Sequence, residues 1–205
     1  ALQTADAYIK SGRYKNILVV GGEILSKMMD WNDRSTCVLF GDGAGAALVK
    51  VDSDFGILGI SQGSDGAKGQ ALTCENRKIN NPYMKNSTDL SYTNMNGQEV
   101  YKFAVRTVPK AILEALGEAG LTVSDIDLFI LHQANIRIIE SVAKRLKVPM
   151  EKFPTNLQEC GNISAGSVPV LLDEINRAGR IKKGDKIVLA GFGGGLTWGA
   201  AVLEW

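Results

Sequence analysis

The 205-residue sequence predicts an α/β fold in which mainly parallel sheets are covered by helices on both faces. Two features point to it. Apolar runs of strand length alternate with stretches whose apolar residues recur at helical spacing. One order of helix, strand and strand is also written twice, once near each end of the chain, so the fold is expected to be internally duplicated.

The elements follow in chain order. Leu2, Ala5 and Ile9 share one helical face, and Gly12 follows as a C-terminal cap before the strand Asn16-Ile17-Leu18-Val19-Val20. Gly45-Ala46-Ala47-Leu48-Val49 is a short strand that finishes this unit. Residues 63–97 are polar and rich in Gly and Asn without a sustained period, which predicts an excursion over the surface rather than a separate domain. Val100, Phe103, Ala104, Val108, Ile112 and Leu116 mark a long amphipathic helix in which Pro109 predicts a kink or a staggered start. The uninterrupted apolar run Leu128-Phe129-Ile130-Leu131 is a buried strand that gives way to His132, the only histidine. A helix over about 135–147 buries Ile138, Ile139, Val142 and Leu146 and leaves Arg137, Lys144, Arg145 and Lys147 in solvent. Val168, Leu171, Leu172 and Ile175 form the next stripe, Gly179 caps it, and Ile187-Val188-Leu189-Ala190 and Gly199-Ala200-Ala201-Val202-Leu203 supply the last strands.

Laid over each other, Gly12-Arg13 matches Gly179-Arg180 and Gly45–Val49 matches Gly199–Leu203. Residues 1–52 then read as the end of a first half, 53–97 as a connecting strand and surface excursion, and 98–205 as a second half. The same alignment sets Ala1 opposite Val168, so the chain opens inside a helix and the loop Gly161-Asn162-Ile163-Ser164 has no counterpart. A helix without a cap leaves its first amides unpartnered, so an upstream portion is expected to precede Ala1.

With 45% hydrophobic and 22% charged residues, and a net charge of +1 from 23 cations and 22 anions, the chain exerts no global pull on nucleic acid or membrane. No apolar stretch exceeds strand length and no leader opens the chain, which predicts no membrane segment, no signal peptide and a cytoplasmic location. Cys37, Cys74 and Cys160 are odd in number and lack metal-ligand spacing, so reduced thiols and no metal site are expected. Gly41-Asp42-Gly43-Ala44-Gly45-Ala46 superficially suggests a dinucleotide-binding loop, but the apolar run Ala47-Leu48-Val49 follows where that motif requires a helix.

Open α/β sheets place ligands at the carboxyl ends of strands, where His132 lies. Three loops could line one pocket there: His132 to Asn135, Gly161 to Ser164, and Gly191-Phe192-Gly193-Gly194-Gly195. A histidine and an asparagine amide can both donate to one carbonyl oxygen and stabilise charge that develops on it, and consecutive glycines let backbone N–H groups approach closely. Each feature also has a plain structural reading. His132 could simply close a core strand, Asn162 form a turn, Ser164 cap a helix, and the glycines make a tight hairpin. Cys160 beside Asn162 has no evident base to activate it.

The runs His132-Gln133-Ala134-Asn135, Gly161-Asn162-Ile163-Ser164 and Gly191-Phe192-Gly193-Gly194-Gly195-Leu196-Thr197-Trp198-Gly199 resemble, in order and interval, the signatures of the β-ketoacyl-acyl carrier protein synthase III family. Asp33-Arg34 and Phe40-Gly41-Asp42-Gly43-Ala44-Gly45-Ala46 extend the resemblance over essentially the whole chain. It implies a thiolase-like fold of five α-β-α-β-α layers built from two similar halves, with this chain holding the end of the first and the complete second. It also implies an acyltransferase that starts fatty-acid synthesis. A cysteine is acylated by a short acyl-CoA, and the acyl group condenses with malonyl-acyl carrier protein as carbon dioxide leaves.

In the resembled family His132 and Asn162 would hydrogen-bond the malonyl thioester oxygen, the Gly194 N–H would complete an oxyanion hole, and Phe192 would gate the cysteine. Arg34 would lie near the adenine end of coenzyme A, Asn135 along the pantetheine tunnel and Gly97 beside it. Lys102, Arg137, Lys144 and Arg145 would meet the acidic carrier protein. Coenzyme A enters as a thioester substrate, with no further cofactor, and the assembly would be a homodimer. The family's nucleophile would fall six residues before Ala1, just as Asn162 lies six before Val168. None of Cys37, Cys74 and Cys160 matches it, so the chain alone is expected to be inactive without an upstream cysteine segment. The competing readings are a secondary-metabolite condensing enzyme of the same fold and a noncatalytic half of a heteromeric assembly.

Overall fold

The computed structural model describes residues 1–74, 83 and 92–205. Much of the expected surface excursion, residues 75–82 and 84–91, lies outside the described residues.

The first unit is helix α1 (Leu2–Lys10) followed by strands β1 (Asn16–Ile24) and β2 (Asp42–Lys50). The strands pair antiparallel from Asn16 opposite Lys50 to Ile24 opposite Asp42. Strands β3 (Gly56–Ser64), β6 (Leu128–Leu131), β7 (Lys186–Gly193) and β8 (Thr197–Glu204) form a second sheet in the order β3-β8-β7-β6. Between them come the short pair β4 (Leu72–Thr73) and β5 (Asn94–Met95) and helices α2 (Gly97–Glu118), α3 (Ile136–Leu146), α4 (Leu157–Cys160) and α5 (Ser167–Arg177).

The duplication is visible in space. The unit α1-β1-β2 repeats as α5-β7-β8, and Gly12 and Gly179 both end their helices at positive φ, 73° and 69°, where a side chain would be disfavoured. The expectation of mainly parallel sheets is corrected, because among the described residues only the strand pair β6 and β7 runs parallel. A parallel pair needs a long crossover, which the chain from α3 to α5 supplies for β6 and β7. The β7–β8 link, residues 194–196, is too short for one, so a hairpin results.

The expected covering of both sheet faces holds only for the four-stranded sheet. There α2 and α3 pack on one face around Phe129, Leu131, Val188 and Val202, while α5 packs on the other around Leu128, Ile130, Ile187 and Leu189. Helix α5 also touches β1 and β2, so it lies between the two sheets with α1. The far face of the β1–β2 sheet leaves Leu18, Val20, Ile24 and Leu48 exposed among the described residues.

Three local expectations meet the structure differently. Helix α2 runs through buried Pro109 as one element, its N-terminus closed by the Asn96 side chain accepting from the Glu99 N–H at 3.2 Å. The α3 stripe is buried as expected, but the helix stops at Leu146 and Lys147 ends it at φ 57°. Ser164 does not cap α5; it opens a single 3-10 turn, Ser164–Gly166, and α5 starts after Gly166 with no side-chain cap. No helix among the described residues is long and apolar enough to cross a membrane.

Candidate active site

Strand β6 is buried at all four positions, so His132 emerges deep in the fold, its N–H continuing the ladder to the Ala190 carbonyl at 2.7 Å. The next residue, Gln133, is fully buried and anchors the bend. Its amide N–H donates to the Leu131 carbonyl at 2.7 Å and its oxygen accepts from the Asn156 N–H at 3.3 Å. Imidazole Nδ1 lies 2.7 Å from Ser167 Oγ, and the ring meets Phe192 edge-on at 5.2 Å between centroids. Burial pushes the His132 pKa down to about 4, so the ring is neutral at physiological pH.

Asn162 enters from the opposite side. Its N–H donates to the Leu39 carbonyl and its carbonyl accepts from the Gly41 N–H, both at 2.9 Å, which makes a parallel bridge to Phe40. The side-chain oxygen accepts from the Ser164 N–H at 2.8 Å. Ser164 holds φ 48°, a conformation uncommon for a residue with a side chain. With its oxygen accepting from Ser164, the Asn162 side chain keeps an amide nitrogen that has no hydrogen-bond partner among the described residues.

The third wall is the end of the β7–β8 hairpin. Both readings of the glycine run therefore hold: it is a tight hairpin, and it lines the pocket. His132, Asn135, Asn162, Phe192, Gly194 and Gly97 all border one cavity of ≈ 490 Å³. Asn135 has a second task, capping α3 by accepting from the Arg137 N–H at 2.9 Å.

Arg34, Lys102, Arg137, Lys144 and Arg145 do not line this cavity. Arg34 is exposed on a loop held by Asp33, which accepts from the Ser35 and Thr36 hydroxyls at 2.6 and 2.8 Å. Those bonds hold the Asp33 carboxyl below the usual carboxylate range. Asp33 borders a second, polar cavity of ≈ 480 Å³. Lys102, Arg137, Lys144 and Arg145 are exposed on α2 and α3. Lys102 pairs with Glu99 at 3.0 Å, whereas the other three form no ion pair among the described residues.

All three cysteines are free. Cys37 is buried, and burial together with the Glu174 charge pushes the Cys160 thiol up, away from the reactive thiolate. Cys74 borders the cavity but follows β4 rather than opening a helix. Sequence reasoning missed Ser167, Gln133 and the Phe40 bridge. The available signal for Ser167 was a polar residue directly before the apolar stripe that begins at Val168.

The family described as 3-oxoacyl-[acyl-carrier-protein] synthase III C terminal matches residues 116–205, and that described as 3-oxoacyl-[acyl-carrier-protein] synthase III matches residues 1–66. The chain belongs to the 3-oxoacyl-acyl carrier protein synthase III family. Oxoacyl and ketoacyl name the same group, so this is the family that the motifs resembled. Within the synthase III family, the chain is 48% identical over 206 residues to the β-ketoacyl-[acyl-carrier-protein] synthase III of Clostridium acetobutylicum, matching 100% of this chain and 63% of that protein. The enzyme of the same name from Clostridium novyi is 49% identical over 206 residues, with 64% of its length covered. The crystal structure of 3-oxoacyl-[acyl-carrier-protein] synthase III from Aquifex aeolicus superposes with a TM-score of 0.91 at 43% identity, covering 100% of this chain and 63% of that one. The chain thus spans somewhat under two thirds of the length of these synthase III proteins and has their thiolase-like fold.

Proposed function

We propose that this chain supplies the enolate-stabilising side of a decarboxylative condensing site, acting in β-ketoacyl-acyl carrier protein synthesis at the start of fatty-acid assembly. The observation that carries the reading is the shared cavity of His132, Asn162 and the Gly194 backbone, with the Asn162 oxygen already spent on Ser164. Malonyl thioester would bind with its thioester oxygen between His132 Nε2 and Asn162 Nδ2. The bond to the carboxylate breaks, carbon dioxide leaves, and the electron pair passes onto that oxygen. Two neutral donors aimed at that oxygen stabilise the resulting enolate more than the ground-state carbonyl. The enolate carbon then attacks an acyl thioester, whose tetrahedral oxyanion the Gly194 N–H receives as the thiolate departs.

The acylated thiol would come from a portion of the complete protein preceding Ala1, opposite this wall, with Phe192 shaping its access. Pantetheine would run past Asn135 and Gly97, and the adenine end of coenzyme A would reach Arg34. Exposed Lys102, Arg137, Lys144 and Arg145 would steer an acidic carrier protein toward the opening. The reading needs no cofactor beyond the thioester substrates, and it places the enzyme in the cytoplasm as a homodimer. The test is carbon dioxide release from malonyl-acyl carrier protein, and condensation with acetyl-CoA, by the complete protein. Loss of both in His132→Ala supports the reading; undiminished release in that variant refutes it.

A further inference from the structure

Ser167 is 1% exposed and belongs to neither of the loops that carry the proposed donors, yet it touches both. Its hydroxyl oxygen lies 2.7 Å from His132 Nδ1 and 2.7 Å from the Ser164 carbonyl oxygen. The carbonyl can only accept the hydroxyl proton, whereas Nδ1 either accepts it or donates to Oγ, according to the tautomer. The Ser164 carbonyl already accepts from the Ser167 backbone N–H, so it keeps a partner when the hydroxyl turns away. Among the described residues His132 Nδ1 has no partner other than Ser167. An imidazole nitrogen is also a far stronger base than an amide carbonyl, so it is the better acceptor for a single proton.

A neutral imidazole has one N–H and one lone pair. Were the proton on Nδ1, it would go to Ser167 Oγ, and a bare Nε2 lone pair would meet any oxyanion in the cavity. With the hydroxyl donating to Nδ1, the proton sits on Nε2 and the ring donates into the cavity. We propose that Ser167 is a positioning residue: its hydroxyl donates to His132 Nδ1 and so keeps Nε2 protonated as the donor to the enolate oxygen. The Ser167 backbone N–H meanwhile braces the Ser164 carbonyl, and the Ser164 N–H holds the Asn162 side chain, so one buried residue contacts the supports of both donors. The inference rests on the condensing role argued above.

His132 is the only histidine in this chain, so its imidazole nitrogens give unambiguous signals after nitrogen-15 labelling of histidine. Long-range proton–nitrogen correlation at neutral pH should show Nε2 protonated in the native chain and a mixture of both tautomers in Ser167→Ala. A protonated Nδ1 in the native chain, or the same tautomer in both proteins, overturns the proposal. In the complete protein, Ser167→Ala should lower kcat for malonyl decarboxylation on the order of ten-fold while KM stays within about two-fold, since a misaimed donor costs turnover rather than binding. Unchanged kcat also overturns it. The tautomer measurement does not depend on turnover. A tautomer change in a protein that releases no carbon dioxide would sink the condensing role and leave the Ser167–His132 relationship standing.

Discussion

Gly41 and Asn162 are locked together across the chain. The Gly41 N–H donates to the Asn162 carbonyl at 2.9 Å, and a Cβ built on Gly41 would stand 2.2 Å from the Cys160 carbonyl oxygen. The end of the β1–β2 connection is thus the shelf on which the Asn162 loop rests, and only glycine lets the two backbones approach so closely.

Gly41→Ala should therefore strike stability and activity together. Relieving a backbone clash requires the Asn162 loop to move, at a cost of about 1–3 kcal/mol, the usual range for overpacking. Chemical denaturation reads the first effect and malonyl decarboxylation by the complete protein the second. A variant that loses neither would show that the loop does not depend on this shelf.

Removing a single oxyanion donor typically lowers kcat by about 10²–10³-fold. Asn162→Ala should fall in that range. Asn162→Asp should lose more, because an acceptor-only carboxylate puts negative charge beside the oxygen that becomes negative. Equal activity of the Asp and native proteins would contradict a donor role for this amide.

His132 makes the fold sensitive to acid. Its pKa drops from 6.5 to about 4 on burial, so in this window the unfolded chain takes up a proton that the native state refuses. Stability from the neutral ring is fully present above pH 6.5 and is lost as pH falls toward 4. His132→Gln should flatten this part of the stability profile in urea titrations at stepped pH. The same slope in both proteins would assign the acid sensitivity to carboxylates instead.

Arg137 is exposed on α3 beside the cavity residues Asn135 and Ile138 and forms no ion pair among the described residues. Arg137→Ala should raise KM for a carrier-linked malonyl substrate and weaken its dependence on ionic strength, while KM for malonyl-CoA stays unchanged. An equal rise for both substrates would place Arg137 in thioester binding rather than carrier docking.

Some elements were plain in the sequence because short-range physics decides them. Strand β6 carries four consecutive apolar residues that are buried on both faces, and α3 pairs an apolar stripe with an Asn cap, so period and end signal agree. Strand direction was not plain. Alternating apolar runs look alike whether a hairpin or a crossover joins them, and the antiparallel majority follows from connections whose lengths matter only once the strands are placed. Ser164 read as a cap because its residue type suits one; the Asn162 side chain takes its N–H instead and holds it at positive φ.

By itself the sequence determined the duplicated helix-strand-strand units, the buried strand ending at His132, and the motifs that mark Asn162 and Gly194, all carried by residue type and spacing along the chain. Tertiary structure alone decided that those three loops border one cavity, that Asn162 bridges to Phe40, and that Ser167 stands behind His132. The physical reason is range. Period and caps act over a few residues, whereas a hydrogen bond between residues 35 apart exists only after two sheets and the helix between them have packed.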